Sequence, residues 1–400
     1  MSKKINNTPR LRFPEFTGEW VEKTLGDSFK ERIEKNREDL PLLSLGENGL
    51  AYQSETMRKD NSNADKSKYL RVALGDIAYN TMRMWQGRCV FVDKEGIVSP
   101  AYTVCQPREG IDSMFHYYLF KTHNMIGKFH QNSQGLVNDT LNLKFEAFSK
   151  IKYFLPPTLA EQQKIAECLM GIDDQISAQA EKVEALKEKK TGMMQQLFPQ
   201  PGETTPRLRF PKFTGEWEEK NINDCFEFKQ GVQCPVDLQA LQKKDGYIRF
   251  IRIIDLTQSG EPPRYIADPG LAHHICKEDL FMVRYGSPGL VGYGYEGVVA
   301  NNLFRLLPKF DMCTKFFKDI LTALHKNIAA LCGIGALPAI NFSTLGLLRI
   351  SLPPTIAEQQ KIADCFSALD DQIAAETEKL TALKEHKKGL MQQLFPQPAK

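Results

Sequence analysis

The chain has no apolar run approaching the roughly eighteen residues of a membrane-spanning helix, and its start, MSKKINNTPRLRF, holds no hydrophobic stretch of signal-peptide type. A cytoplasmic protein is expected, with no membrane partner. Its nine cysteines include no Cys-x-x-Cys pair, which removes a zinc ribbon or a thioredoxin-type motif and leaves reduced, buried thiols as the expectation. His273, His274 and Cys276 have no second ligand cluster at a suitable spacing and read as a solvated turn, so no metal is expected. Catalytic signatures are missing as well. GSPGLVGYG at 286–294 lacks the lysine of a nucleotide-cradling loop. There is no Asn-Pro-Pro-Tyr or Asp-Pro-Pro-Tyr of the kind that works on a flipped adenine, and Asp93-Lys94-Glu95 lacks the upstream acid of a nuclease. The net charge is only +3, too small to advertise nucleic acid by itself.

What is present is a duplication. Residues 155–200 return at 352–397 with 32 of 46 positions identical, and the same shift of 197 superposes PRLRFPEFTGEW, starting at Pro9, on PRLRFPKFTGEW, starting at Pro206. No insertion or deletion is needed in between. Yet the stretches 28–150 and 225–347 show little identity at that shift, so a constant frame carries two divergent inserts. The frame segments are net acidic, −2 for 155–200 and −1 for 352–400, so the remainder holds +6. A basic excess in the inserts suits phosphate contacts.

The inserts read as α+β. Strands are predicted at 20–25, 87–93, 101–105, 247–254 and 279–285. Helices are predicted from Asp112 onward, with Phe115, Leu119, Ile126 and Phe129 on one face, and from Asp311 onward, with Phe317, Leu321, Leu324, Ile328 and Leu331 inward. At the shift of 197 these helices coincide. Trp20 and Trp217 read as anchors of each insert to its frame.

After each insert, LPPT forbids helix, and Thr158 with Glu161 three residues later predicts a capping box at the start of a long one. Ile165, Leu169, Ile172, Ile176, Val183, Leu186, Met193 and Leu197 follow a heptad, interrupted at Gln179 and Lys190. The second copy runs Ile362, Phe366, Leu369, Ile373, Leu380, Leu383, Leu390 and Leu394, interrupted at Glu376 and Lys387. A rod of roughly 58 Å at about 1.5 Å per residue needs a partner along its length. The economical partner is the other copy, packed antiparallel, giving two globular domains separated by a two-helix coiled coil with pseudo-twofold symmetry. Parallel packing is the rival. A contact between Glu376 and Lys190 is expected to fix the register. The boundaries follow: 1–154, 155–200, 201–351 and 352–400.

Together, LRFPEFTGEW and LRFPKFTGEW, LPPTLAEQQKIA and LPPTIAEQQKIA, and the endings KTGMMQQLFPQ and KKGLMQQLFPQ resemble the specificity subunits of bacterial Type I restriction-modification systems, and the resemblance spans the chain. GDIAYNTMRMWQG with GIVSPAYTV, and EDLFMVRYGSPG with ANNLFRL, resemble known target-recognition inserts. The resemblance implies a non-catalytic DNA reader. Each insert would read half of a bipartite asymmetric site in double-stranded DNA, while the paired helices set the spacer and dock two methyltransferase subunits. Those subunits would bind S-adenosylmethionine, and two ATP- and Mg-dependent restriction subunits would complete the cutting enzyme, so this chain would bind no cofactor. A coiled-coil adaptor for protein partners, or a fused restriction-methylation enzyme, are the alternatives.

Arginine reads guanine and Asn or Gln reads adenine in the major groove, whereas Lys holds phosphate. On that chemistry the candidate readers are Asn80, Arg83, Trp85, Gln86 and Arg88 in the first insert. Those in the second are Arg249, Arg252, Arg284, Tyr285, Ser287, Asn301 and Asn302. Arg58, Lys59, Lys66, Lys68, Lys243 and Lys244 are the candidate phosphate contacts. Asn80, Arg83 and Trp85 also belong to the recognisable insert pattern, which leaves open a role in the insert's own frame.

Overall fold

The computed structural model describes residues 7–46, 49–56, 62, 64–200, 203–258, 260–332 and 338–396, with the backbone alone at Asn138. They form two compact units, Met1–Ala180 with Glu378–Lys400, and Glu181–Thr377. Arg58 and Lys59 lie outside the described residues.

In the first unit the insert is closed by its own ends. Strand Val21–Thr24 pairs antiparallel with Lys152–Leu155, bringing the frame residues before and after the insert side by side. Beyond Thr24, which caps a short turn through a reciprocal bond with Asp27, the chain enters a four-stranded antiparallel sheet. Its order is Phe29–Glu31, Tyr102–Pro107, Ile77–Asn80, Cys89–Phe91. Alternation along the strands splits the two faces: Ile77, Tyr79 and Cys105 join the core under the helices, and Ala78 and Val104 join the core under the outer ladders. The middle of the sheet is therefore buried on both sides, which is why Ile77–Asn80 and Cys89–Phe91 are largely apolar. Helices Ser113–Phe120, His123–Asn132 and Phe145–Ser149 cover one face. Two small ladders, Leu43–Gly46 with Gly49–Tyr52 and Leu70–Val72 with Gly96–Val98, cover the other.

The second unit repeats the plan. Strands Glu218–Asn221 and Arg349–Leu352 close the insert. The central sheet runs Phe226–Gln230, Leu303–Pro308, Leu280–Val283, Val291–Gly292, with Leu280 and Met282 toward the helices and Phe281 and Val283 away from them. The outer layer here is one four-stranded sheet, Arg264–Ala267, Tyr247–Ile251, Gly297–Val299, His274–Ile275.

Several expectations need correction. The inserts are not collinear at 197. Phe29 pairs with Pro107 where Phe226 pairs with Pro308, and Phe115 packs on Trp20 where Phe316 packs on Trp217, so the inner elements match at 201 and a local length difference is made up later. Each predicted helix is two: the first breaks at Lys121–Thr122, and the second starts at Thr314 rather than Asp311 and breaks at Leu324. The strand predicted over 247–254 ends at Ile251, where a short helix begins at Ile253. Of the cysteines, Cys89, Cys105, Cys225 and Cys313 are buried, whereas Cys168, Cys234, Cys332 and Cys365 are half-buried and Cys276 is exposed.

The long helices are Leu159–Leu197 and Ile356–Leu394, 39 residues each. Within the first unit Ile165, Ala166 and Leu169 share one core with Leu394 and Phe395. Within the second, Ile362, Ala363, Phe366 and Leu369 share a core with Leu197 and Phe198, whose ring stacks on Phe366 at 5.7 Å. In both units residue numbers rise on one helix as they fall on the other, so the pairing is antiparallel. Ile172 and Val183 are buried, and Ile176, Leu186, Ile373, Leu380 and Leu383 are half-buried, as a two-helix seam leaves them.

The register contact differs from expectation. Glu376 pairs with Lys182 at 2.9 Å, and Lys190 pairs with Asp370 at 2.5 Å. The capping box also resolves differently. Thr158 accepts from the Glu161 N–H, but the Glu161 carboxylate does not return to the cap. It receives Nε and Nη2 of Arg12, at 2.7 and 2.8 Å, and Nε1 of Trp20 at 3.1 Å. Arg209 makes the same fork to Glu358 in the second unit. This ion pair nails the RLRFP segment to the start of the long helix. Trp20 and Trp217 are buried in their cores, as anchors should be.

Candidate nucleic-acid interface

In both units the strand at the heart of the sheet runs out into a tied cluster of loops. After Ile77–Asn80, the Asn80 side chain accepts from the Met82 N–H at 3.0 Å, and Trp85 Nε1 donates to the Met82 carbonyl at 3.0 Å. Met84 is fully buried beneath this turn, which ends at Gly87 in the left-handed region. Thr81 accepts from the Leu143 N–H and donates to the Ala101 carbonyl, so segments 81–88, 99–101 and 134–143 are bound together. Asn80 and Trp85 thus build the turn, while Gln86 and Arg88 are exposed on it. Arg83 is half-exposed, its nearest acid being Asp139 at 3.9 Å.

After Leu280–Val283 the second unit does the same with different residues. The Arg284 N–H donates to the Asn302 carbonyl and its own carbonyl accepts from Ile340. Its guanidinium donates to Gln230 Oε1 at 2.8 Å and to the Ile340 carbonyl at 3.3 Å, and lies 4.7 Å from the Phe342 ring centre. Tyr285 bridges to Ala339. Gln230 also donates to the carbonyls of Asn301 and Leu303. The structure therefore brings Arg284, Tyr285, Asn301 and Asn302 into one cluster, with Ser287 exposed on the adjoining turn. Asn302 Oδ1 is buried there without a partner among the described residues. Gln230 and Phe342, which hold the cluster, were missed in the sequence because they lie far from it along the chain.

Other candidates sit elsewhere. Arg249 and Arg252 both grip the buried carboxylate of Asp255, at 2.9 and 3.0 Å, and Arg252 also donates to the Pro262 carbonyl. Lys66 and Lys68 stand in the loop before Leu70–Val72, on the outer-ladder side. Lys243 and Lys244 are exposed in the turn before Tyr247–Ile251, with Lys244 Nζ 5.6 Å from the Tyr247 ring centre.

No group of three or more His, Cys, Asp or Glu is arranged to hold a metal ion among the described residues. Recesses of about 320 Å³ beside Phe210, Phe213 and Lys361, and about 210 Å³ beside Val232, Cys234 and Ile266, are lined by none of the candidate readers. No described helix is long and apolar enough to cross a membrane.

A family model for the Type I restriction modification DNA specificity domain matches residues 18–188 and again 214–385. The chain belongs to that family. As a member it is a type I restriction-modification specificity subunit with two recognition domains. Each specificity domain starts just ahead of its tryptophan anchor and ends inside a long helix. The MjaVIII type I restriction enzyme specificity subunit of Methanocaldococcus jannaschii is 23% identical over 359 residues, covering 82% of either chain. A putative MjaX specificity subunit from the same organism is 23% identical over 362 residues, 84% of this chain and 81% of that one. The crystal structure of the type I S subunit from M. genitalium superposes with a TM-score of 0.64 at 16% identity, over 98% of this chain and all of the other. A chain from work on complex assembly and conformational transition of the type I system superposes at 0.58 with 14% identity, over 96% and 99%. At those identities the structural likeness is one of fold.

Proposed function

We propose that each insert reads one half of a bipartite, asymmetric double-stranded DNA site, that the long helices set the spacer between the halves, and that the retained frame docks methyltransferase subunits. The chain contributes no catalysis of its own in this reading. Methylation with S-adenosylmethionine belongs to two methyltransferase subunits, and ATP- and Mg-dependent cleavage to two restriction subunits. The observation that carries the reading is the contrast within one molecule. The two frames keep the same residues and the same Arg–Glu fork, whereas the loop clusters at the sheet ends share position but not chemistry. A scaffold that stays constant while its presenting loops change is what two different half-sites require.

Exchange of residues 28–150 for another family member's insert, followed by base-modification sequencing of host DNA, tests it. One half of the methylated motif should change, with the other half and the spacer preserved. A change in both halves, or none, would refute the modular assignment.

A further inference from the structure

Among the described residues, no large apolar side chain is more exposed than Leu136, at 101%, and its neighbour Val137 is 60% exposed. Exposure of this kind is ordinary on a loose loop, but this loop is built. Gln134 and Asn142 exchange backbone hydrogen bonds at 2.8 Å, and the Asn142 amide donates to the Gln134 carbonyl at 3.0 Å. Thr140 closes the tip by donating through both its N–H and its hydroxyl to the Val137 carbonyl, each at 2.9 Å. Gly135 is at φ +150°, and a Cβ there would lie 2.6 Å from the Thr140 carbonyl oxygen. Two apolar side chains are thus held out into solvent by a hydrogen-bonded hairpin.

The hairpin is continuous with the candidate interface. Its stem follows directly into Leu143, whose N–H binds the Thr81 carbonyl, and its Asp139 is the acid nearest Arg83. Met82, on the segment tied to the hairpin through Thr81, is also exposed. The charged side chains of segments 81–88 and 134–144 are Arg83, Arg88 and Lys144 against Asp139, a sign of charge suited to a polyanion. The occupant is also constrained by the duplication. The loop QGLVNDTLN at 134–142, between the helices His123–Asn132 and Phe145–Ser149, has LCGIGALPAI at 331–340 in the corresponding place of the second insert, while the frame around each insert is nearly identical. A partner shared by both halves would have retained it; a half-site ligand would not.

We infer that Leu136 and Val137 are base readers, pressing on the 5-methyl group of a thymine in the half-site of the first insert. Apolar contact is how a protein senses that methyl in the major groove. The inference rests on the proposed DNA-reading function and adds to it a residue type that hydrogen-bonding logic overlooks.

The test uses the full chain assembled with its methyltransferase subunits, on the cognate duplex identified by base-modification sequencing. Each thymine of the half-site is replaced in turn by deoxyuridine, which removes only the methyl group. For the wild type, one replacement should weaken binding about fourfold, the scale of one buried carbon. The L136A/V137A variant should bind the unmodified site about tenfold more weakly and be indifferent to that same replacement, with an unchanged Tm. D139N, which leaves the apolar tip intact, should bind more tightly, most of all at low salt. Additive losses from the variant and the deoxyuridine, or a variant that binds as the wild type does, would overturn the inference while leaving the functional reading in place. Failure of the wild-type complex to bind any half-site selectively would sink the reading itself, and this inference with it.

Discussion

Lys387 Nζ lies 2.5 Å from Asp173 Oδ1, and 197 residues earlier Lys190 Nζ lies 2.5 Å from Asp370 Oδ1, so each lysine that interrupts a heptad meets an aspartate of the other long helix. Each aspartate also accepts from its own insert: Asp173 from the Tyr118 hydroxyl at 2.8 Å, Asp370 from Lys318 Nζ at 3.0 Å. Burial works to raise the Asp370 carboxyl, and the bonds from Lys190 and Lys318 outweigh it and hold it below its ordinary value. The seam lysine therefore fixes register and seats the insert's first helix on the frame at once. Both partners are partly covered, between the surface and the buried regimes, so Lys387→Met should cost about 1–3 kcal/mol. In a double-mutant cycle with Asp173→Asn, chemical denaturation should show coupling, the pair of changes costing less than the sum of the singles. Strict additivity would mean that the contact carries no energy.

The heptads, their length and the two interruptions were legible because they are local patterns. The lysines' partners were not, because Asp173 and Asp370 stand one residue off the apolar seam, where a pattern of hydrophobic spacing carries no information. Glu161 failed for a similar reason. Its spacing from Thr158 fits a capping box, but Arg12 and Trp20, some 150 residues away in sequence, outbid the cap. At the sheet ends, residue chemistry pointed to Arg284 but not to Gln230 on a strand and Phe342 at the start of a short helix, which engage it from far along the chain. Leu136 was not legible either, since an exposed apolar residue announces nothing in a sequence.

The two tryptophans differ in a way that can be measured. Trp20 Nε1 donates to Glu161, but Trp217 Nε1 is buried with no partner among the described residues. Replacing Trp20 by Phe leaves a buried carboxylate short of a donor, whereas replacing Trp217 removes a donor that had nothing to bind. Both variants lose the same volume. Trp20→Phe should therefore be the more destabilising by about 1–2 kcal/mol in urea denaturation. Equal losses would show that the indole N–H contributes nothing at Glu161.

Acid should act on the first unit through His116. This fully buried imidazole bonds the Asp112 carbonyl at 2.7 Å and the Tyr153 hydroxyl at 2.8 Å, and burial pushes its pKa down from 6.5 to about 4, against the opposing pull of the Asp112 carbonyl. Above pH 6.5 the residue is neutral folded or unfolded and adds no pH dependence. Between pH 6.5 and 4 the unfolded chain takes up a proton that the folded one refuses, so stability falls as pH falls, by up to about 3 kcal/mol. The second unit supplies the control, because Phe317 occupies the matching place: it packs edge-on to Phe226 at 5.0 Å, as His116 does to Phe29 at 5.0 Å. His116→Phe should flatten the Tm profile between pH 4 and 6.5. A variant with the same acid sensitivity as the wild type would assign that sensitivity to other groups.

Arg88 and Arg284 separate reading from support. Arg88 is exposed on the turn that Asn80 and Trp85 build, so Arg88→Ala should leave Tm unchanged and relax a single base position of the first half-site by about 1–3 kcal/mol. Arg284 holds Gln230, the Ile340 carbonyl and the face of Phe342, and its loss leaves Gln230 and that carbonyl short of a donor in a partly buried cluster. Arg284→Ala should lower Tm and weaken binding at every position of the second half-site together, without favouring any substituted base. Competition binding across a panel of single-base variants, read beside thermal melts, distinguishes the two patterns. If Arg284→Ala instead relaxed one base pair at unchanged Tm, the arginine would be leaving Phe342 to meet DNA, and the cluster would be a reader held in reserve rather than a post.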